Sequence, residues 1–231
     1  MKRLIILLVL LSCLVPAARA ASPADEYILL IGGPSLMQWE KYKKQPHDHW
    51  WANFVRAGRI RTEQLRAASP EAKITWLVYK QGYVDRGAQE HQDLLTFIDS
   101  VREKYDLNLV YFRDGAEVIN YLNNGQPRDK VKIAGLEYFG HSNKACFMFD
   151  YSSNVDSASK SWLRESEVGA IHRNVFARNA MIRSWGCYTG ESMSKKWRSA
   201  LGFRMVGAIG KTQYMMNELP ILATPGGKWT N

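Results

Sequence analysis

A three-layer α/β sandwich around a mainly parallel sheet of about six strands is the fold this sequence predicts. Three observations carry that prediction. Short apolar runs of strand length alternate with longer stretches whose apolar residues fall at helical spacing. The segments between successive runs are long enough to hold a helix, which is the spacing of β-α-β crossovers and not of hairpins. Several runs are apolar throughout, as strands covered on both faces are. With 46% apolar residues, a chain of 231 residues can bury one well-formed core, and no repeat, low-complexity tract or Pro/Gly/Ser linker divides it.

The first twenty residues stand apart from this alternation. MKRLIILLVLLSCLVPAARA has a basic start at Lys2 and Arg3, an apolar run from Leu4 to Val15, and Ala18 and Ala20 at A-x-A spacing. That layout is expected of a secretory signal peptide cleaved after Ala20, leaving a single domain over 21–231 that is secreted or periplasmic. A rival reading takes Cys13 in LLSC as a lipidated N-terminus, with a second Leu that is unusual there.

The elements follow in order. EYILLIGGPS (26–35) is a buried strand ending in a Gly-Gly-Pro turn, and HDHWWANFVRAGRIRTEQLRAA (47–68) is a helix with Asp48 as its cap. KITWLVYK (73–80) is the second strand. DRGAQEHQDLLTFIDSVREKY (85–105) places Leu94, Leu95, Ile98, Val101 and Tyr105 on one helical stripe. LNLVYF (107–112) is the third strand, and it runs into Asp114 and Glu117, at capping-box spacing ahead of Val118, Ile119 and Leu122. KVKIAGLEYFGH (130–141) is the fourth strand. A Ser-rich piece (152–161) and a helix near 165–176 lead to the fifth, NAMIRSWGC (179–187). A helix with Met193, Trp197, Ala200 and Leu201 on one face ends at Gly202, FRMVGAIGKTQY (203–214) is a sixth strand, and the tail from about 217 is irregular.

Charge sets bounds on partners. The formal net charge of +9 falls to +6 once Lys2, Arg3 and Arg19 are removed. This surplus is spread along the chain, which argues for solubility and a mild attraction to anions and against a nucleic-acid partner. No segment after the leader is apolar and long enough for a membrane span.

Sheets of this kind gather ligands and catalytic groups beyond the carboxyl ends of their strands. His141 ends the fourth strand and Cys187 ends the fifth, so both fall at that edge on adjacent strands. A thiol attacks as its thiolate and needs a base or a field to form it. His141 can supply the base, and a helix starting around Thr189–Ser192 can supply the field. Gly186 and Gly190 let backbone approach a substrate, and the backbone N–H groups of Ser142 and Cys187 can bind an oxyanion.

Taken together, FGHS and SWGCYTG, 46 residues apart from His to Cys, resemble the caspase-like cysteine peptidase fold. They are most similar to bacterial caspase-like domains, where a strand ending in a "SHG"-like motif precedes one ending in "YGC"; MVGAIGKTQY matches the small-residue strand that follows. The likeness covers roughly residues 107–214. It implies a caspase-like sheet and a cysteine peptidase or related acyl hydrolase acting on a peptide or protein, with Cys187 as nucleophile and His141 as base, and with no metal and no cofactor. Two residues depart from it: Ser142 follows the His where Gly is usual, and Cys187 lacks the caspase "QAC" setting.

Alternatives stay open on the same residues. Cys146 and Cys187 are the only cysteines after the leader, and an exported chain can join them in a disulfide. The fold can also have lost its chemistry and serve as a binding or assembly module. In the caspase-like fold the segment after the first strand helps line the substrate pocket, so Asp48 and Arg56 are candidates to set a charge preference there; Trp185, two residues before Cys187, is read as sheet packing in preference to a pocket wall. His47, Asp48 and His49 invite a metal reading, but Asp48 as a helix cap with exposed histidines is favoured. Trp50, Trp51, Trp76 and Trp197 are interleaved with the core periodicity.

Overall fold

The computed structural model describes residues 25–37, 50–151 and 161–230. Its centre is a six-stranded sheet in which every pairing is parallel. The strands are β1 (Glu26–Ile31), β2 (Lys73–Tyr79), β3 (Asn108–Phe112), β4 (Ile133–Phe139), β8 (Phe176–Ser184) and β9 (Met205–Val206). Between β4 and β8 the chain adds a small antiparallel sheet of β5 (His141–Asn143), β6 (Cys146–Met148) and β7 (Trp162–Arg164). Across the large sheet the order is β3-β2-β1-β4-β8-β9. The chain therefore starts in the middle, steps outward twice, returns past β1, and steps outward the other way, as doubly wound sheets do.

Helices cover both faces. α1 (Asn53–Ala68), α2 (Lys80–Glu90) and α3 (Leu94–Tyr105) pack on one, and α4 (Gly115–Asn124) and α5 (Ser192–Leu201) on the other. Strand side chains alternate between the layers. Ile28 and Leu30 join the α4–α5 core and Leu29 and Ile31 the α1–α3 core, which is why EYILLI carries no polar alternation. Gly58 brings α1 close, since a Cβ there would stand 2.9 Å from Ile31 Cδ1. Among the described residues no helix is long and apolar enough to cross a membrane.

Four expected elements come out differently. The stripe over 85–105 is split: α2 starts directly after β2 and ends at His91 with φ of 54°, and Asp93 then caps α3 by accepting from Leu95 N at 3.0 Å. The helix near 165–176 is two short 3₁₀ turns, Glu165–Ala170 and Arg173–Val175. There the Asn123 side chain accepts from His172 N at 2.8 Å and donates to Ala170 O at 2.9 Å, taking groups an α-helix would pair, while Gly169 weakens the helical alternative. The sixth strand is cut into β9, β10 (Ala208–Ile209) and β11 (Thr212–Gln213): the chain leaves the sheet at Gly207, and Gly210, with a φ of 116° that favours glycine, separates β10 from β11. The tail is ordered by these pieces: β12 (Ile221–Leu222) pairs with β11 and β13 (Lys228–Trp229) with β10. Asp114 caps α4 as expected, accepting from Glu117 N at 3.0 Å, while Glu117 reaches Arg113 N and not the cap residue. Residues 38–49, with the Asp48 cap and the His47/His49 pair, lie outside the described residues, as does the leader over 1–20.

At the amino end of the sheet, Glu26 is 1% exposed and is held by Arg128 Nη1 at 2.6 Å, Thr75 Oγ1 at 2.5 Å and Tyr121 Oη at 2.8 Å. Removing one partner of a buried ion pair leaves the other charge desolvated and unpaired. Glu26→Leu is therefore expected to lower stability by about 3–5 kcal/mol, read as a lower urea midpoint at unchanged m-value.

Candidate active site

β4 and β8 are neighbours in register, with Tyr138 opposite Ser184, and Trp185 N donates to Tyr138 O at 2.9 Å one step further on. Both chains then turn, one at Gly140 and the other at Gly186. His141 and Cys187, each one residue past its glycine, line a single cavity of about 190 Å³. Its other walls are Phe54 of α1, Ser142, Met148 and Tyr151 of the small sheet and its exit, Tyr188, and Lys211, Thr212 and Tyr214 of the segment around β11. A larger hollow of about 520 Å³ opens at the opposite, amino end of the strands, beside Glu26 and Arg66. Its arginine is already spent on the carbonyls of Pro70, Ala72, Tyr105 and Asp106. The crevice where the strand order reverses, between β1 and β4, is filled by protein. A Cβ on Gly33 would meet the Tyr79 ring at 2.9 Å and Phe149 O at 3.0 Å, and Tyr83 Oη donates to Gly32 O at 2.9 Å.

The two turns are clipped together. Ser142 Oγ donates to Cys187 O at 2.8 Å, and the space it crosses exists only because residue 186 is glycine: a Cβ there would lie 2.1 Å from Ser142 Oγ. Ser142, the departure from the Gly that usually follows the histidine, is thus engaged as a tether from the His turn to the Cys turn.

His141 is placed through ring and backbone. Its imidazole stacks on Tyr151, centroids 4.5 Å apart at 25°, and meets Phe54 edge-on at 5.1 Å. Tyr138 Oη donates its one proton to His141 O at 2.5 Å, with Met148 O 3.1 Å away, and so sits against both sides of the β5–β6 hairpin. Complete burial pushes the Tyr138 phenol well above its ordinary range, so it stays a donor. Tyr214 Oη accepts from Gly140 N at 2.8 Å and its ring packs on Phe54 at 4.7 Å, closing the wall around the imidazole.

The Cys187 sulfur lies against Thr212. It accepts from Thr212 N at 3.3 Å and sits 3.6 Å from Thr212 Oγ1 and 3.8 Å from Thr212 O. Its hydrogen-bond partners do not include His141; apo catalytic contacts are often loose and tighten with substrate. The Cys187 N–H has no acceptor among the described residues, whereas Tyr188 N donates to Gly210 O at 2.8 Å. Tyr188 has a φ of 61°, a left-handed conformation that turns the chain sharply after the thiol. α5 begins at Ser192, at the end of the expected range, and two early N–H groups are spent: Met193 N on Lys144 O and Ser194 N on Thr189 O, at 2.7 and 3.0 Å.

Other expectations are corrected. Cys146 and Cys187 are both free, so no disulfide joins them. Cys146 sits on β6 between Asn143 and Arg164, with its thiol 3.4 Å from Asn143 Oδ1, and burial pushes that thiol up. Of the two readings of Trp185, the pocket wall is the one that fails: the ring is 5% exposed, donates Nε1 to Glu137 Oε2 at 2.8 Å and packs on Trp229 at 5.3 Å. It faces the α1 layer because alternation along β8 puts it there. Arg56 does not line the cavity either. Its guanidinium lies over Trp50 at 4.6 Å and donates to Asn53 Oδ1 at 2.8 Å, and Phe54 is the α1 residue that reaches the site. Thr212, Lys211 and Tyr214 were missed, although a sixth strand beside the Cys strand would place its carboxyl end, GKTQY, against Cys187.

No family model, no curated protein and no solved structure matches this chain.

The clip gives a test of the geometry. Gly186→Ala drives a methyl into Ser142 and is expected to cost about 1–3 kcal/mol. Added to Ser142→Gly, which empties that space, it should cost much less. A double-mutant cycle in denaturant measures the coupling.

Proposed function

We propose that the protein is an exported cysteine peptidase or related acyl hydrolase that uses Cys187 and His141. The observation that supports this reading is that the two side chains, one on β5 after β4 and one in the turn after β8, line the same small cavity at the carboxyl end of a parallel sheet. In the proposed reaction the Cys187 thiol gives its proton to His141, and the thiolate attacks a peptide or ester carbonyl. The oxyanion forms against the N–H groups of Cys187 and Ser142. His141 then protonates the leaving group, and water, activated by the same imidazole, releases the acyl group from sulfur. The resemblance of FGHS and SWGCYTG to the caspase-like peptidases supports the same chemistry. Export rests on the layout of residues 1–20.

A second reading, a non-catalytic binding or assembly module, is favoured by the thiol's bonds to Thr212 in place of His141.

Iodoacetamide labelling followed by mass mapping separates the two. The enzyme reading expects Cys187 to label ahead of Cys146 and its rate to fall about 10²–10⁴-fold in His141→Ala, the usual span for a lost general base. Equal Cys187 labelling in parent and His141→Ala supports the binding module, and peptide or ester turnover that is abolished by Cys187→Ala overturns it.

A further inference from the structure

Thr212 surrounds the Cys187 sulfur with three polar atoms: its N–H, its hydroxyl and its carbonyl. It is 5% exposed and is fixed from several sides. β11 pairs it with Leu222, the flanking Lys211 N donates to Thr224 Oγ1 at 2.8 Å, and Ala223 N donates to Lys211 O at 2.9 Å. Its hydroxyl donates to Trp185 O at 2.8 Å, two residues before the thiol on the strand that carries it.

A hydroxyl has one proton. While that proton is on Trp185 O, the Thr212 oxygen can only accept, so the neutral thiol finds one donor in Thr212 N and two acceptors in Oγ1 and O. A thiolate needs the reverse, donors in place of acceptors.

We propose that Thr212 is a two-position hydroxyl that serves the Cys187 sulfur in both protonation states. With the thiol, it bonds Trp185 O and offers its lone pair to the S–H. Once the sulfur has passed its proton to His141, the hydroxyl turns about its Cβ–Oγ1 bond and donates to sulfur, giving the thiolate two donors, Thr212 N–H and O–H. No bond to Thr212 forms or breaks, and Trp185 O loses its hydrogen bond in that state. The titratable groups facing this cavity are His141 from β5, Tyr151 beyond β6, Tyr188 after β8, and Lys211 and Tyr214 beside β11; no carboxylate of the described residues lines it. This role rests on the Cys–His reading for the destination of the proton.

The test is the pH profile of Cys187 alkylation in the full chain, read by mass mapping. In Thr212→Val the profile is expected to move to higher pH, with labelling near neutrality slowed about tenfold, as loss of one hydrogen bond to an ionised group would give. Thr212→Ser keeps the hydroxyl and should stay within about twofold of the parent. A Thr212→Val profile that superimposes on the parent's overturns the proposal. So does a Thr212→Ser profile displaced as far as that of Thr212→Val, since the methyl and not the hydroxyl would then matter. Should Thr212→Val lose the parent's circular dichroism, Thr212→Ala decides by the same criterion. His141→Ala keeps the two ideas apart: unchanged Cys187 labelling there sinks the dyad, while the difference between Thr212→Ser and Thr212→Val, measured in that background, still judges Thr212.

Discussion

One hydrogen bond, from Ser142 Oγ to Cys187 O, sets the geometry on which the candidate site depends. The sheet brings β4 and β8 together only as far as Tyr138 and Trp185. Beyond them two turns leave the sheet, and turns lacking a ladder would splay. The clip replaces the ladder one step further out, across a gap that excludes any side chain at position 186. A Ser–carbonyl bond of this kind contributes only about 1 kcal/mol in net stability, so its weight is geometric. It fixes the spacing of His141 on β5 and Cys187 in the turn after β8, and position is where most of the advantage of any paired site lies.

Beneath the clip the same two strands are locked by charge. Glu137, on β4, is 1% exposed and takes Arg61 Nε at 2.6 Å and Trp185 Nε1 at 2.8 Å. A buried carboxylate is tolerable only when its oxygens are met in this way. The two bonds join α1, β4 and β8 just under the turns. Trp185 therefore acts on the site from below, as a brace, and α1 is held in the orientation that delivers Phe54 to His141. The buried ion pair at Glu26 does similar work at the far end of the sheet, where Arg128 follows α4 and joins it to β1.

The central sheet was legible in the sequence because β1, β2 and β4 are buried on both faces and read as unbroken apolar runs. His141 and Cys187 were legible for a related reason: each is a reactive side chain at the point where such a run stops. What stayed hidden depends on contacts far apart in sequence. The split at His91 and Asp93 is a local capping event inside a stripe that periodicity alone reads as one helix. The failed helix over 165–176 loses its backbone bonds to Asn123, some fifty residues away. Trp185 and Cys187 share a strand face, and nothing local shows that Glu137 claims the first and a cavity the second. The pairing of the tail with β10 and β11 rests on Gly210, whose conformation a strand-like pattern conceals.

That tail changes how the site is built. His141 and Cys187, just past the ends of β4 and β8, would be open on one side, because β9 is short and contributes nothing beyond Val206. The chain instead leaves the sheet at Gly207, where backbone packs against backbone so tightly that a Cβ would stand 2.6 Å from Gly190 N. It then returns through β11 to put Thr212 on the sulfur and Tyr214 on the Gly140 turn. One short segment thus touches both halves of the pair, and antiparallel bonds to Ile221–Leu222 and Lys228–Trp229 keep it there. The environment of the thiol is therefore set less by the strand that carries Cys187 than by the last part of the described chain, so loosening those small sheets would alter the sulfur's hydrogen bonds without touching the central sheet.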